Sequence, residues 1–211
     1  MGVQERRERE RQDLRAKILA AAQQIITTEG FAALSMRKLA ERVEYSVGSI
    51  YLYFRNREEI ARELTKVGFG QLLEMMSEGV GKKDAVARLN AVAMAYVSFG
   101  LKHPETYRLI FMGDSEYMAA AFAEEDPGDP AAKAYQMLVD VAGDLKREGL
   151  YGGRASANEI AEMVWAGLHG IVSLKIACPG FQSAAPEALA KLMVGTLVKG
   201  MVSREAVRKL R

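Results

Sequence analysis

The sequence has few of the residues that cross-link a chain or bind metals, with one cysteine and two histidines in 211 residues. Cys178 therefore has no partner for a disulfide within the chain, which is typical of proteins in a reducing compartment. No apolar run reaches about 18 residues without a charge, so we predict no membrane span. Residues 1–11 mix opposite charges rather than forming an apolar signal segment. We therefore expect a cytoplasmic protein.

The chain also lacks a strong excess of charge of either sign. Its net charge is +2, and the whole excess lies in residues 1–60, which hold 11 Lys or Arg and 9 Asp or Glu. Residues 61–211 hold 18 of each kind. So small an excess is weak support for a nucleic-acid partner, and the positions of the charges must decide. With 49% apolar and 27% charged residues, a wholly disordered chain is excluded.

Apolar residues recur at helical spacing along almost the whole chain. In the first segment, Leu14, Ile18, Ala22 and Ile25 follow one another at intervals of three or four residues and predict a helix that ends near Thr28. No segment shows the convincing alternation of a strand, and no internal repeat occurs. We predict an all-α fold of about nine helices.

Residues 13–60 form three predicted helices, with a tight turn between the second and the third. Only Glu44, Tyr45 and Ser46 separate these two helices. This is the geometry of a helix-turn-helix, whose third helix enters the major groove of DNA. Within the predicted third helix, residues 47–54, the spacing of Ile50 and Phe54 places both on the inner side.

The outer side of the third helix and the neighbouring helix starts carry side chains suited to DNA. Small residues permit close approach, hydroxyls can reach phosphate oxygens, and an arginine can contact a phosphate or a guanine edge. The free backbone N–H groups of a helix start also favour phosphate. The predicted DNA contacts are Ser35, Arg37, Val47, Gly48, Ser49, Tyr51, Leu52, Tyr53 and Arg57.

This segment resembles the TetR family of bacterial transcriptional regulators. The matching strings are Gly30-Phe31, Ser35 to Ala40 (SMRKLA), Ser46 to Phe54 (SVGSIYLYF) and Asn56 to Ile60 (NREEI). Both the residue types and their spacings match the family pattern. The resemblance implies a dimeric DNA-binding repressor of a near-palindromic operator, with a separate helical domain that senses a ligand. We place the DNA-binding domain at residues 1–60 and the ligand-binding and dimerisation domain at residues 61–211.

Glu44 departs from the family pattern, which usually has a glycine at this point of the turn. Glycine tolerates a positive φ angle, whereas glutamate in that conformation is strained by about 1 kcal/mol. We therefore expect the turn to take a different conformation in this chain. A carboxylate at this position also repels phosphate, which weakens non-specific binding to DNA.

The remainder of the chain resembles the family's ligand domain less specifically. Trp165 followed by His169-Gly170 is similar to a branch of the family with a tryptophan and then His-Gly in the penultimate helix. We expect a ligand pocket among helices four to eight. No cluster of carboxylates or arginines points to a charged effector, so an apolar or aromatic one is predicted. Candidate lining residues, each of which alone is more often simple core, are Met75, Met94, Phe99, Tyr107, Phe111, Met137, Trp165 and His169.

The last two predicted helices have broad apolar faces. These faces are either buried within one subunit or form a four-helix interface between two subunits, which the resemblance implies. Glycines in both helices would let them approach closely. The predicted dimer residues are Ile160, Val164, Gly167, Ile171, Leu189, Leu192, Met193, Leu197 and Met201.

The N-terminal leader has two open interpretations. Its arginines either form a solvated helix face or reach the DNA backbone or minor groove. They are Arg6, Arg7, Arg9, Arg11 and Arg15.

Other functional signatures are missing from the sequence. His103, His169 and Cys178 lie on separate segments without metal-ligand spacing, so no metal site is predicted, and a buried or idle thiol is favoured over a redox switch. Without a nucleophile elbow, phosphate loop, paired catalytic carboxylates or dinucleotide motif, we predict no catalytic residue and no cofactor. The alternatives to an effector-released repressor are an effector-independent DNA-binding dimer with a protein partner, and a helical-bundle enzyme or lipid carrier.

Overall fold

The computed structural model describes residues 2–79, 81, 84–123, 128–151, 153–181 and 183–201. Within these ranges the fold is all-α, as predicted, and no strand occurs. The helices are α1 (Val3–Glu29), α2 (Met36–Val43), α3 (Val47–Tyr51), α4 (Arg57–Ser77), α5 (Ala85–Lys102), α6 (Pro104–Phe111), α7 (Ser115–Ala121), α8 (Pro130–Arg147), α9 (Ala157–Ala177) and α10 (Pro186–Met201), with a short 3-10 turn at Phe31–Ala33.

The chain divides into two compact units. Unit 1 comprises Met1–Gly68 and Glu105–Glu125, and unit 2 comprises Phe69–Pro104 and Asp126–Arg211. The chain passes from one unit to the other within α4. The predicted DNA-binding segment, residues 1–60, therefore shares its unit with α6 and α7, which the sequence did not associate with it.

The core of unit 1 is built from the apolar stripe that the sequence predicts. Ile18 and Ile25 of α1 are fully buried together with Leu39 of α2 and Ile50 of α3. Leu109, Tyr117 and Ala121 from α6 and α7 belong to the same cluster of buried residues. The helix-turn-helix thus does not close its core with its own three helices alone.

Unit 2 is a bundle in which α5 packs against α8, α9 and α10, and α9 also packs against α8 and α10. The side of α9 that faces the core of this bundle consists of Ile160, Ala161, Val164, Leu168 and Val172. Among the described helices, α9 is long and apolar enough to cross a membrane by length and composition alone. Its buried inner side is that of a helix packed within a protein core.

The turn between α2 and α3 keeps the left-handed conformation, so the expected change of conformation at Glu44 is wrong. Glu44 has φ 61° and ψ 39° and is the only described residue other than glycine with a positive φ. The N–H groups of Glu44 and Tyr45 both donate to the carbonyl of Ala40, and the Tyr45 bond is 3.0 Å. These bonds end α2 within one residue, and they outweigh a strain of about 1 kcal/mol.

Helix α3 is shorter than predicted and ends at Tyr51 rather than near Phe54. The N–H of Tyr53 donates to the carbonyl of Ile50 at 2.9 Å. This hydrogen bond between residues three apart is of the 3-10 type and tightens the last turn. Two other helix starts are capped by serines. The hydroxyl of Ser35 accepts from the N–H of Lys38 at 3.2 Å, and Ser156 forms a capping box with Glu159.

Two glycines of α4 give opposite expectations for the same substitution. In Gly68→Ala, the new Cβ would lie 2.6 Å from Ile110 Cγ2 and 3.0 Å from Thr106 Cγ2. We expect the free energy of unfolding to fall by about 1–3 kcal/mol, because α6 must move to make room. Gly70 has no atom within 4 Å of such a Cβ.

Gly70→Ala is the matched control, and we expect it to raise the free energy of unfolding by about 0.5–1 kcal/mol through helix propensity. Urea denaturation followed by far-ultraviolet circular dichroism measures both variants. A Gly68→Ala protein as stable as the wild type would contradict the close packing of α4 on α6.

Candidate nucleic-acid interface

Helix α3 has one buried side and one bare side, as predicted. Ile50 and Phe54 are buried, with exposed fractions of 0% and 2%, and they fix the helix on α1 and α2. Tyr51 and Leu52 are 54% and 79% exposed. Two large side chains, Tyr51 at the end of α3 and Leu52 directly after it, thus lie open to solvent on the side away from the core.

The start of α3 is small and well capped. The hydroxyl of Ser46 accepts from the N–H of Ser49 at 3.1 Å, and the two serine hydroxyl oxygens are 2.8 Å apart. Beside them, Gly48 and Val47 are exposed. A Cβ on Gly48 would meet only the hydroxyl of Ser46, at 3.8 Å. The helix start therefore presents little bulk to an approaching DNA groove.

Most basic side chains near α3 are paired with carboxylates of the same unit. Arg37 contacts Glu41 at 3.1 Å, and Arg55 contacts Glu59 at 3.2 Å. Lys38 pairs with Glu29. The Arg37 pair is 84% and 66% exposed, so it contributes little energy and can be exchanged for a phosphate at small cost.

Arg57, a predicted phosphate contact, has a guanidinium that already has partners inside unit 1. It pairs with Glu58 at 3.1 Å and with Glu116 of α7. It also lies over the ring of Phe31, 4.8 Å from the centroid, and donates to the carbonyl of Phe31 at 3.4 Å. The hydrogen bond to Glu58, followed by that to Glu116, raises the pKa of Arg57. A phosphate would have to displace two carboxylates.

Phe31 is the centre of a cluster that the sequence did not reveal. The ring of Tyr117 meets it edge-on at 5.5 Å, and a carboxylate oxygen of Asp114 accepts from its N–H at 3.3 Å. Tyr117 is itself buried, and its hydroxyl is 2.8 Å from the hydroxyl of Thr65. Burial raises the pKa of Tyr117 to about 12, so the phenol stays neutral. Only the Asp114-Ser115-Glu116 helix-start pattern could have hinted at α7.

The predicted ligand-binding residues fall into both units. Tyr107 and Phe111 lie in unit 1, where Tyr107 is buried and the two rings are 4.9 Å apart. The other six belong to unit 2. Among them Phe99 is fully buried as core, whereas the remaining five are half-buried: Met75, Met94, Met137, Trp165 and His169.

Tyr96 was missed by the sequence analysis, although it lies beside Trp165. The indole N–H of Trp165 donates to the Tyr96 hydroxyl at 3.1 Å, and the ring of Tyr135 lies 6.3 Å from the Trp165 ring. One helical turn further along α9, burial lowers the pKa of His169. At neutral pH its imidazole is therefore mostly uncharged, and this aromatic group offers polarity without a positive charge.

The predicted dimer residues differ in burial: some lie in the core of unit 2 and others are exposed. Ile160 and Val164 are buried at 1% exposure inside unit 2, so little of either side chain is left for contact with a second copy. Gly167 is at an internal contact too, because a Cβ there would lie 2.3 Å from the Met193 sulfur. Leu192 is 68% exposed, and the half-buried residues are Ile171, Leu189, Met193 and Leu197. The side chain of Met201 lies outside the described residues.

The other residues considered for metal or redox chemistry, His103 and Cys178, lie at the ends of different helices. Across the described residues no group of three or more histidine, cysteine, aspartate or glutamate side chains could hold a metal ion. Cys178 is exposed at the end of α9, so of the two expected alternatives, a buried or an idle thiol, the buried one is wrong. The ring of exposed His103 lies 5.5 Å from that of Phe99, at the end of α5.

The placement of Arg57 predicts a structural effect of its removal. We expect Arg57→Ala to lower the free energy of unfolding by about 1–2 kcal/mol, because a cation–π contact and two ion pairs are lost. The matched control is Arg55→Ala, whose 80% exposed side chain makes only the pair with Glu59. That control should stay within about 0.5 kcal/mol of the wild type in urea denaturation. Equal effects in both variants would contradict a structural role for Arg57.

Comparisons with known proteins match this arrangement over both parts of the chain. Residues 18–64 match the model described as "Bacterial regulatory proteins, tetR family". Residues 89–197 match the model described as "Tetracyclin repressor-like, C-terminal domain", which spans more than half of the chain. The first match contains α2, α3 and the turn between them.

Curated relatives are bacterial regulators. The uncharacterized HTH-type transcriptional regulator YfiR of Bacillus subtilis is 27% identical over 139 residues, 64% of each chain. The fatty acid metabolism regulator protein of Bacillus subtilis is 36% identical over 67 residues, 32% of this chain and 34% of the relative. The aligned regions thus span less than two thirds of the length of these relatives.

Solved structures show the same fold over nearly the whole chain. A putative transcriptional regulator from Pseudomonas aeruginosa has a TM-score of 0.74 at 18% identity and covers 93% of this chain and 94% of its own. The fatty acid degradation regulator FadR from Bacillus halodurans has a TM-score of 0.70 at 18% identity, with coverage of 90% and 97%. Together with the two family matches, these likenesses show that the chain belongs to the TetR family of DNA-binding transcriptional regulators.

Proposed function

We propose that this regulator is a cytoplasmic repressor that binds a near-palindromic operator as a homodimer and leaves it when an apolar or aromatic small molecule binds unit 2. The observation that carries the proposal is the bare side of α3, where Tyr51 and Leu52 project from a helix whose other side is anchored by Ile50. A short, capped helix with exposed contact residues is the geometry that enters a major groove.

The proposed DNA contacts divide into two kinds. Gly48 and Tyr51 of α3, and Leu52 directly after it, would meet base edges and sugars in the groove, because all three are exposed. Arg37 would meet a phosphate, and contacts of this kind fix the register of the protein on the duplex. The remaining proposed contacts at the ends of α2 and α3 are Ser35, Val47, Ser49 and Tyr53. Arg57, also a proposed contact, would have to exchange Glu58 or Glu116 for a phosphate.

The outward sides of α9 and α10 support the proposed homodimer. Met163 and Leu174 of α9 are 44% and 41% exposed, and Leu192 of α10 is 68% exposed. Gly170 has open space where a Cβ would be. Exposed apolar side chains in line on two adjacent helices are costly in water, and a second copy can cover them by a symmetric contact.

The proposed effector is an apolar or aromatic molecule in unit 2, near Trp165. Half-buried methionine and aromatic side chains adapt to an apolar guest, and a mostly neutral His169 does not select an anion. Two relatives named for fatty acid metabolism and fatty acid degradation support an acyl chain as the first molecule to test. Release requires that the effector bind the DNA-free conformation more tightly than the DNA-bound one.

Substitution of proposed DNA contacts in α2 and α3 should abolish specific binding without affecting assembly. For Tyr51→Ala and for Arg37→Ala, we expect a loss of about 2–6 kcal/mol over the two half-sites of a dimer, which is roughly 30-fold or more in Kd. The duplex is one that the wild-type protein selects from a random-sequence library, and fluorescence anisotropy measures Kd.

Arg154→Ala is the matched control for Arg37→Ala, because it removes one exposed arginine from unit 2. Analytical ultracentrifugation should give a dimer mass for all four proteins. Salt-sensitive operator affinity retained in both Tyr51→Ala and Arg37→Ala would show that these residues do not carry DNA binding. A monomer mass for the wild type would refute the proposed dimer.

An acyl-chain effector should change the fluorescence of Trp165, the one tryptophan of the chain. Since its indole N–H donates to Tyr96, a bound guest alters both the polarity and the hydrogen bond around the ring. We expect a saturable change in emission with palmitate, over the range of concentrations that releases the selected duplex. Trp165→Phe is the control for signals from other sources. Unchanged emission and unchanged DNA binding would reject an acyl-chain effector.

A further inference from the structure

The first turns of α1 extend beyond the core on which the rest of that helix packs. Residues 4–13 are all exposed, and Leu14 is the first buried residue of the helix. At 1.5 Å per residue, these ten residues project by about 15 Å. The side chain of Glu5 accepts from the N–H of Gly2 at 3.0 Å, which closes the start of the helix.

Two arginines of this projection lie on the face of α1 that points toward the helix-turn-helix. Arg7 and Arg11 precede Leu14 and Ile18 at intervals of four, three and four residues, so the four side chains form one stripe. Leu14 and Ile18 of this stripe are buried in the core of unit 1. The stripe that is apolar within the core thus becomes cationic where α1 projects beyond it.

The same two arginines share an open groove with the proposed DNA-binding surface. The groove has a volume of about 550 Å³, and it is lined by Arg7, Glu10, Arg11, Leu14, Tyr45, Leu52 and Tyr53. Tyr45 belongs to the turn before α3, and Leu52 and Tyr53 follow α3 directly. A duplex seated on α3 would therefore have its neighbouring backbone beside Arg7 and Arg11.

The charges of the groove favour an anion. Glu10 is paired with Arg6 at 3.3 Å, so its carboxylate is balanced from outside the groove. In the described part of the chain, neither Arg7 nor Arg11 has an ion pair, whereas Arg37, Arg55 and Lys38 near α3 are all paired. Arg7 and Arg11 of α1 are thus available to an anion without breaking an ion pair, whereas the cations on α2 and directly after α3 are not.

We propose that Arg7 and Arg11 form a second DNA contact in each subunit, gripping the phosphate backbone that flanks the half-site read by α3. This inference rests on the proposed function, which supplies the duplex. The contact adds affinity that depends on salt and not on base sequence. It offsets the small net charge of the chain, because two unpaired cations are placed where the backbone passes.

The test compares arginines on two sides of the same helix. Arg11→Ala removes a proposed contact, and Arg9→Ala removes the same charge from the opposite side of α1, two residues away. Arg7→Ala/Arg11→Ala removes both contacts, and Arg7→Lys/Arg11→Lys keeps their charge. Anisotropy of the duplex selected by the wild-type protein, measured over a series of salt concentrations, gives Kd and its salt dependence. Two versions of the duplex carry flanks rich in A·T or in G·C.

For the double alanine variant, we expect the slope of log K against log salt to fall by about 3–4, since a dimer loses four phosphate contacts of about 0.9 each. Arg11→Ala should lose about half as much, and Arg9→Ala and the double lysine variant should keep nearly the wild-type slope. Circular dichroism should show unchanged folding, because residues 4–13 are exposed.

Three results would overturn the inference. If the wild type binds specifically and Arg11→Ala matches Arg9→Ala in slope, the arginines form only a solvated face, and the proposed function stands. A loss confined to duplexes with A·T-rich flanks would assign the arginines to the minor groove instead of the backbone. Lack of specific binding by the wild type would overturn both the proposed function and this contact.

Discussion

The contact of Phe31 with Arg57 and Tyr117 is the interaction on which the arrangement of unit 1 depends. Phe31 stands directly after α1, Arg57 begins α4 and Tyr117 lies in α7, so one aromatic ring connects three helices. Asp114 and Glu116 add hydrogen bonds to the same cluster. Because α3 is only five residues long, it keeps its position by packing against α2 and by burying Ile50 in the core of unit 1 rather than through its own hydrogen bonds.

The charges of the chain are arranged so that very few remain available near α3. Carboxylates pair with most of its basic neighbours, and Glu44 adds a negative charge in the turn, at the cost of a left-handed backbone. Electrostatic attraction to any DNA is thereby kept small, and specific binding must come from shape, base contacts and two half-sites held together. The proposed contact by Arg7 and Arg11 restores some attraction only where a duplex is already seated.

Much of the fold was predictable because helix periodicity and capping are local. The stripe of Leu14 and Ile18 and the inner side of α3 were both predicted from spacings of three or four residues. What the sequence did not predict depends on packing between distant segments. Glu116, 59 residues later in the chain, pairs with Arg57. The core of unit 2 buries Ile160, which the sequence placed on a broad apolar face.

The sequence by itself determined the helices, the class of fold and the resemblance to DNA-binding regulators, since periodicity, caps and the turn motif are set by neighbouring residues. Only the tertiary structure decided which arginines are neutralised, which apolar faces of α9 stay exposed, and that α7 completes the core beneath α3. An arginine side chain can pair equally well with a phosphate of DNA or with a carboxylate of the protein. Its partner is fixed by the packing that brings remote helices together, which no local pattern records.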